Sequence, residues 1–366
     1  MSRSNQAGLP TSRSFPANSW YVAANSAEVT RQLLSRRMLD IPVLLFRTST
    51  GSVSALEDRC AHRAYPLSKG RLDGDRVVCG YHGFEYDTAG QCVRVPSQAH
   101  VPFGAQVRSL PVQDDGTFIW IWAGAPAMAE LRRPPGVPWL GDPSWSTIGG
   151  QDDVAAAYLL LHETFADVTH VPFIDPEVAP PALQAMPPPL DIEVTETSVS
   201  FSRNYPATAL AEWHWRATGL SPQEQYEQRE TGRFVAPGLW LDRWDVHAED
   251  PTTGQLGDYS LRFTQAVTPV TDTTSGLVWR ISRDFSVGDT SVDTTLRAAF
   301  SQYYARVKEA VETVQATVDA GDSRRDVDVI SDGAALQVRR VVRAMIAEET
   351  GKAGHARKTA LRGTGV

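Results

Sequence analysis

Residues 60–83 read CAHRAYPLSKGRLDGDRVVCGYHG. Cys60-x-His62 is followed, after sixteen residues, by Cys79-x2-His82. Two thiols and two imidazoles in spaced pairs form a metal-ligand set. RLDGDR between the pairs carries Asp73-Gly74, a natural β-turn, so the pairs fall on paired loops. Tetrahedral zinc can use two cysteines and two histidines. The spacing on hairpin loops better fits a [2Fe–2S] cluster in which two histidines replace two cysteines on one iron. That replacement raises the potential to between about −150 and +300 mV. Flanking Gly80, Tyr81 and Gly83 agree with a tight loop. Cys92, ten residues beyond His82, has no partner spacing and reads as a buried or idle thiol.

Working outward, the chain has 366 residues, room for two or three domains at roughly 150 residues each. A hydrophobic content of 42% suffices for real cores. The net charge of −8 and a pI near 5.5 give no basic field for nucleic acid. No apolar run approaches the ~20 residues of a membrane helix, so no membrane partner is expected. The opening MSRSNQAGLPTSRS lacks the apolar core of a signal peptide. Three cysteines in so long a chain argue against a disulfide framework and for a reducing, cytoplasmic location.

Residues 1–14 read as a mobile polar N-terminus. SWYVAAN, then IPVLLFR, the turn TSTGS and VSALED read as strands around tight connections, and Asp115-Gly116 marks a hairpin. Residues 15–130 therefore form an expected all-β domain, ending in the Pro-rich stretch APAMAELRRPPGVPWLGDP. Residues 131–349 form a larger domain. There AAAYLLLHETFADVTHV reads as helix, and VAPPALQAMPPPL as a loop that proline keeps from being helical throughout. Alternating segments from LDIEVTETSVSFSRNY to GLVWRISRDF read as an antiparallel sheet. A long helix is expected over about 291–320, stopping at Gly321, and a last helix in GAALQVRRVVRAMIAEE. The fold class is α+β. Residues 350–366 read as a mobile basic tail.

At this point the chain resembles the Rieske-type non-haem iron oxygenases, in particular the terminal oxygenase (alpha) subunits of aromatic O- and N-demethylases. The resemblance covers about residues 15–348. It rests on WYVAA, CAHR…CGYHG, YDTAGQC, DVTHVPF and ISDGAALQVRR. It implies a Rieske [2Fe–2S] cluster on Cys60, His62, Cys79 and His82, with cysteine on one iron and histidine on the other.

The resemblance also implies a mononuclear Fe(II) held by two histidines and a carboxylate. The family pattern is Asp-x2-His-x4-His, with a third ligand, Asp, on a late helix. Asp167 then matches the residue that bridges neighbouring subunits, and His170 the first ligand. Read from residues alone, an Asp in such a position is often just a cap, but its three-residue offset from His170 favours the bridging role. The second ligand position is Asp175, where the family has His. On the late helix, Lys308 and Glu312 match family residues, and the ligand position falls on Val307, which cannot bind iron. The stripe Leu296, Phe300, Tyr303, Val307, Val311, Val314 is taken as the inward face. At ~100° per residue, Glu309 and Glu312 turn about 200° and 140° away from Val307. His162 is too far from His170 to complete the set. His214 and His247 fall in expected strands and read as ordinary core or surface histidines. The mononuclear site therefore reads as degenerate.

In the family, as the resemblance implies, three protomers sit head to tail and one chain's cluster feeds its neighbour's iron. An intact cluster beside a degenerate iron site implies an electron-relay and structural subunit of a heteromeric oxygenase. Its expected partners are an NAD(P)H-dependent reductase or ferredoxin, an iron-containing paralogous subunit in a trimer-based mixed oligomer, and a small organic substrate, aromatic as in the resembled demethylases. The alternative is a complete terminal oxygenase, mono- or dioxygenase, with an atypical His/carboxylate Fe(II) site.

Overall fold

The computed structural model describes residues 14–249, 256–321, 324 and 326–351. The two expected mobile tails lie outside these residues apart from Ser14, Thr350 and Gly351. Each of those three is tied down: the Ser14 carbonyl accepts from Tyr158 Oη, and the backbone N–H groups of Thr350 and Gly351 return to the last helix.

The N-terminal region is built from ten short strands in three sheets. In chain order they are β1 (Trp20–Asn25), β2 (Leu34–Met38), β3 (Ile41–Arg47), β4 (Val53–Glu57), β5 (Arg71–Asp73) and β6 (Arg76–Val78), followed by β7 (Glu85–Tyr86), β8 (Cys92–Arg94), β9 (Val112–Asp114) and β10 (Phe118–Trp122). The sheet orders are β1-β10-β9, β2-β3-β4 and β5-β6-β7-β8. Both predicted hairpins form. Asp73 pairs with Arg76 around Gly74, and β9 pairs with β10 around Gly116; both glycines have positive φ. Strand β2 went unread in the sequence because LSRRM carries three polar residues and two of its five residues are exposed.

The second region is organised on a seven-stranded antiparallel sheet. Its strands are β11 (Ser146–Val154), β12 (Asp191–Val194), β13 (Ser198–Thr208), β14 (Tyr226–Val235), β15 (Leu239–Glu249), β16 (Leu256–Thr271) and β17 (Thr274–Arg283). Their order is β11-β17-β16-β15-β14-β13-β12. The helices are α1 (Pro126–Ala129), α2 (Tyr158–Ala166), α3 (Val171–Ile174), α4 (Glu212–Thr218), α5 (Thr290–Asp319) and α6 (Gly333–Glu349). The α+β class expected from the sequence is the observed one.

Strand alternation assigns the two faces of this sheet. On β15, Trp240, Trp244 and Val246 join the core with Phe300, Tyr304 and Val307 of α5. Leu239 and its partner Ala266 turn the other way, onto Trp20, Val22, Trp120 and Trp122. The sheet thus has helices on one face and the β1-β10 layer on the other. Hydrogen bonds cross this second boundary, from Thr268 Oγ1 to the Val22 carbonyl (2.7 Å) and from Leu39 N–H to the Pro269 carbonyl (2.8 Å).

Helix α5 is capped by Asp289, whose carboxylate accepts from the N–H groups of Ser291 and Val292. Its buried stripe is Val292, Leu296, Phe300, Tyr304, Val307, Val311 and Gln315. This corrects two members of the expected stripe. Tyr304 rather than Tyr303 is fully buried, and Val314 is 48% exposed. A second correction concerns EWHW, expected in a strand: it lies in α4, so His214 is a helical residue. The period-two alternation of this short apolar run could not be told from one buried helical turn. The expected helix through Asp167 also stops early, because Asp167 is extended (φ −137°, ψ 110°).

Candidate functional site: a two-thiol, two-imidazole tip and a second centre under the long helix

The first site lies on two loops. The β4–β5 loop carries Cys60 and His62, and the β6–β7 loop carries Cys79 and His82. Both thiols are buried and both imidazoles are exposed. The rings of His62 and His82 lie 4.5 Å apart, His62 stacks on Phe84, and Tyr81 leans on His82. Each loop is fixed by its backbone: Cys60 N–H donates to the Tyr65 carbonyl and Cys79 N–H to the Phe84 carbonyl. Gly80 is required by space, since a Cβ there would meet the Lys69 carbonyl at 2.8 Å. Tyr86 Oη sits 3.1 Å from Cys60 Sγ and accepts from Ala61 N–H.

Burial pushes the Cys79 thiol up from its ordinary pKa, and the neighbouring Cys60 adds to this. Two buried thiols of this kind deprotonate in favour of a bound cation. The donor set therefore fits a cluster with sulfur inward and imidazole outward. Among the described residues no three His, Cys, Asp or Glu side chains gather around a single ion.

The second site lies between α3 and α5. Asp167 accepts from Thr169 N–H (2.9 Å) and Thr169 Oγ1 (2.7 Å), capping the turn that carries His170. The Asp167 carbonyl is 2.6 Å from His170 Nδ1, so Nδ1–H donates to it. Nε2 is then the acceptor, and Tyr303 Oη donates to it at 3.1 Å. Burial lowers the His170 pKa, and burial raises that of Tyr303, so the pair is a neutral imidazole and a phenol.

Asp175 has no exposed surface, and neither of its carboxylate oxygens has a hydrogen-bond partner. Arg306 Nη1 stands 3.4 Å from Oδ1, close enough for charge attraction but directed to the Ile174 carbonyl at 3.0 Å. We regard this as an ion pair without a hydrogen bond. Val307, next on α5, is fully buried in the apolar core. The Glu312 carboxylate accepts from Ala155 N–H, and Glu309 is exposed. His162 is buried with both nitrogens engaged: Trp240 Nε1–H donates to Nδ1, and Nε2–H donates to the Pro237 carbonyl. His247 is an exposed residue of β15, 3.0 Å from Asp258.

Beside this centre, between the sheet and α5, is a largely apolar chamber. Phe165, Phe201, Trp213, Phe263 and Phe300 give it an apolar wall, and Tyr303, Glu230 and Asp242 also line it. Burial pushes both carboxyls above their ordinary range.

The model of the Rieske [2Fe-2S] domain matches residues 19–111, and that of the vanillate O-demethylase oxygenase C-terminal domain matches residues 154–348. The chain belongs to the Rieske oxygenases. A vanillate O-demethylase oxygenase subunit from Pseudomonas sp. (strain HR199 / DSM 7063) is 28% identical over 92% of this chain and 96% of its own. The oxygenase component of dicamba O-demethylase from Stenotrophomonas maltophilia is 31% identical, covering 90% of this chain and 97% of its own. The crystal structure of dicamba monooxygenase bound to 3,6 dichlorosalicylic acid superposes with a TM-score of 0.83 at 29% identity, covering 91% and 98% of the two chains. This Rieske oxygenase is thus an oxidoreductase, with the Rieske β domain preceding the larger sheet-and-helix domain.

The sequence pointed to the thiol and imidazole pairs of this oxygenase but missed Tyr86, Tyr303 and Arg306. Tyr303 was signalled by its place one turn before Val307, on the side facing His170. Nothing local marks Tyr86, which reaches Cys60 across 26 positions. Among the described residues no helix is long and apolar enough to cross a membrane.

Proposed function

We propose that this chain is the electron-relay and structural subunit of a heteromeric Rieske oxygenase. In this reading Cys60 and Cys79 hold one iron of the [2Fe–2S] cluster, and His62 and His82 the other. The cluster supplies one-electron transfer at a raised potential. The exposed imidazole edge is where electrons enter and leave, while the buried thiols and Tyr86 keep water from the sulfur side. The cluster domain is residues 15–130 and the oxygenase-type domain residues 131–349. Electrons come from an NAD(P)H-dependent reductase or a ferredoxin. They serve O2-dependent hydroxylation or demethylation of a small organic substrate at an iron held by a paralogous subunit.

The observation that carries the reading is the state of the second centre. Its donors do not fit a two-histidine, one-carboxylate iron site. His170 Nε2 is occupied by a phenol, Asp175 faces a guanidinium, and the third position is a buried valine. A fixed cation beside Asp175 meets part of the electrostatic demand that a metal would otherwise meet.

Anaerobically purified protein should contain two irons per chain and give a Rieske-type electron paramagnetic resonance signal on reduction. A colourless zinc protein would sink the cluster assignment. One observation favours the alternative of a complete oxygenase with an atypical site: both Asp175 oxygens are buried without a hydrogen-bond partner. Three irons per chain would establish that alternative.

A further inference from the structure

Apart from the Tyr304 hydroxyl, whose Oη accepts from Gln265 Nε2 at 3.1 Å, the polar groups of the chamber between the sheet and α5 lean toward acceptors. Its indole donors are already engaged: Trp213 Nε1–H donates to the Val178 carbonyl and Trp244 Nε1–H to Gln228 Oε1, each at 3.0 Å. Thr164 Oγ1 donates back to the Leu160 carbonyl. Two acceptors are left over. Asp242 Oδ1 and Gln265 Oε1 are both buried without a hydrogen-bond partner. They sit on neighbouring strands, β15 and β16, and on the same face. Backbone N–H of Arg233 and the Gln265 amide steady the Asp242 carboxyl from the side.

Among the described residues that line the chamber, no cation faces these acceptors. Arg243 is the one cation among the lining residues. It lies between Asp242 and Trp244 on β15, so strand alternation turns its guanidinium to the opposite face. There it pairs with Asp245 and approaches Asp258. Arg203 is buried nearby, bound to Tyr205 Oη (3.1 Å) and to Glu230 Oε2 (3.4 Å). Tyr205 Oη also donates to Glu230 Oε2 at 2.7 Å. The cations next to the chamber are therefore already paired, and Asp242 Oδ1 has no hydrogen-bond partner. An organic anion would bring a third acidic group against Glu230 and Asp242. A donor-bearing cation would satisfy both orphaned oxygens.

We propose that this chamber binds an organic amine, its apolar body between Phe201, Trp213, Phe263 and Phe300 and its N–H donors on Asp242 Oδ1 and Gln265 Oε1, and that it rejects carboxylates of the same size. The proposal rests on reading this domain as an oxygenase-type ligand domain, and it is independent of the iron content.

The test is calorimetric titration of the full chain with benzylamine, benzyl alcohol and benzoate near neutral pH. Benzylamine should bind about tenfold or more tighter than benzoate, with the alcohol between them. Asp242→Asn should bring benzylamine to the level of the alcohol, with the circular dichroism spectrum unchanged. The proposal is overturned if benzoate binds as tightly as benzylamine, if none of the three binds, or if Asp242→Asn keeps the full preference for the amine. Iron counted on the same samples separates this outcome from that of the relay reading, since binding needs neither metal nor turnover.

Discussion

His162 and His214 show how a histidine can be chemically capable and still belong to the core. Neither has any exposed surface. His162 holds one hydrogen bond on each nitrogen. His214 has no hydrogen bond on either and stacks flat on Trp213, ring centroids 4.6 Å apart. Burial lowers each from its ordinary 6.5 to about 3. Both are neutral in the folded protein at neutral pH. Below pH 6.5 the unfolded chain takes up protons that the folded chain refuses, so the folded state loses stability as pH falls from 6.5 toward 3. Above 6.5 this contribution is fully present. Each group costs at most about 1.4 kcal/mol per pH unit within that window. The denaturant midpoint should therefore fall between pH 7 and pH 5, and His214→Phe should flatten the fall. An unchanged slope in that variant would mean that His214 titrates normally. At this scale the sequence was clear where chemistry is local, as in Cys-x-His and Cys-x2-His. It was opaque where a role depends on a distant contact, as for Tyr86 on Cys60 and Arg306 beside Asp175.

Most of the elements were legible because their patterns are strong. Helix α5 has a continuous apolar stripe, an Asp289 cap and a stop at Gly321, and each hairpin carries its Asp-Gly turn. The losses were short pieces. Polar β2, single-turn α3 and two-turn α4 are held by the tertiary core, not by a periodic signal long enough to read. The decisive position is on a well-read element: Val307, fully buried on α5. Val307→Asp alone would put a carboxylate into apolar surroundings and should cost about 1–3 kcal/mol or more. Paired with Asp175→His, the same change supplies the two donors missing beside His170, and iron should rise from two toward three per chain. A double variant that folds normally yet holds only two irons would show that α5 does not present position 307 to that centre.

At the scale of the molecule, the proposed relay makes the two sites different ends of one electron path. The imidazole edge of His62 and His82 is exposed, and Asp167 and His170 lie on a capped turn of the other domain. On the proposed relay reading, electrons collected at that edge find no oxygen-activating centre beside His170, where Tyr303 Oη is bonded to Nε2 and Val307 is buried in the core. That reading then requires the chain to pass them to a neighbour. Alone, the protein should accept electrons from a reductase and turn over no substrate. Co-expressed with an iron-containing paralogue, it should co-purify as a trimer-based mixed oligomer and be needed for full activity. His62→Ala should stop turnover at the partner's iron, because it removes a ligand and the exit edge together. His170→Ala should change turnover little, because Tyr303 already occupies the ring's free nitrogen. Turnover by the purified chain alone, abolished by His170→Ala, would overturn the relay and make this chain a complete oxygenase.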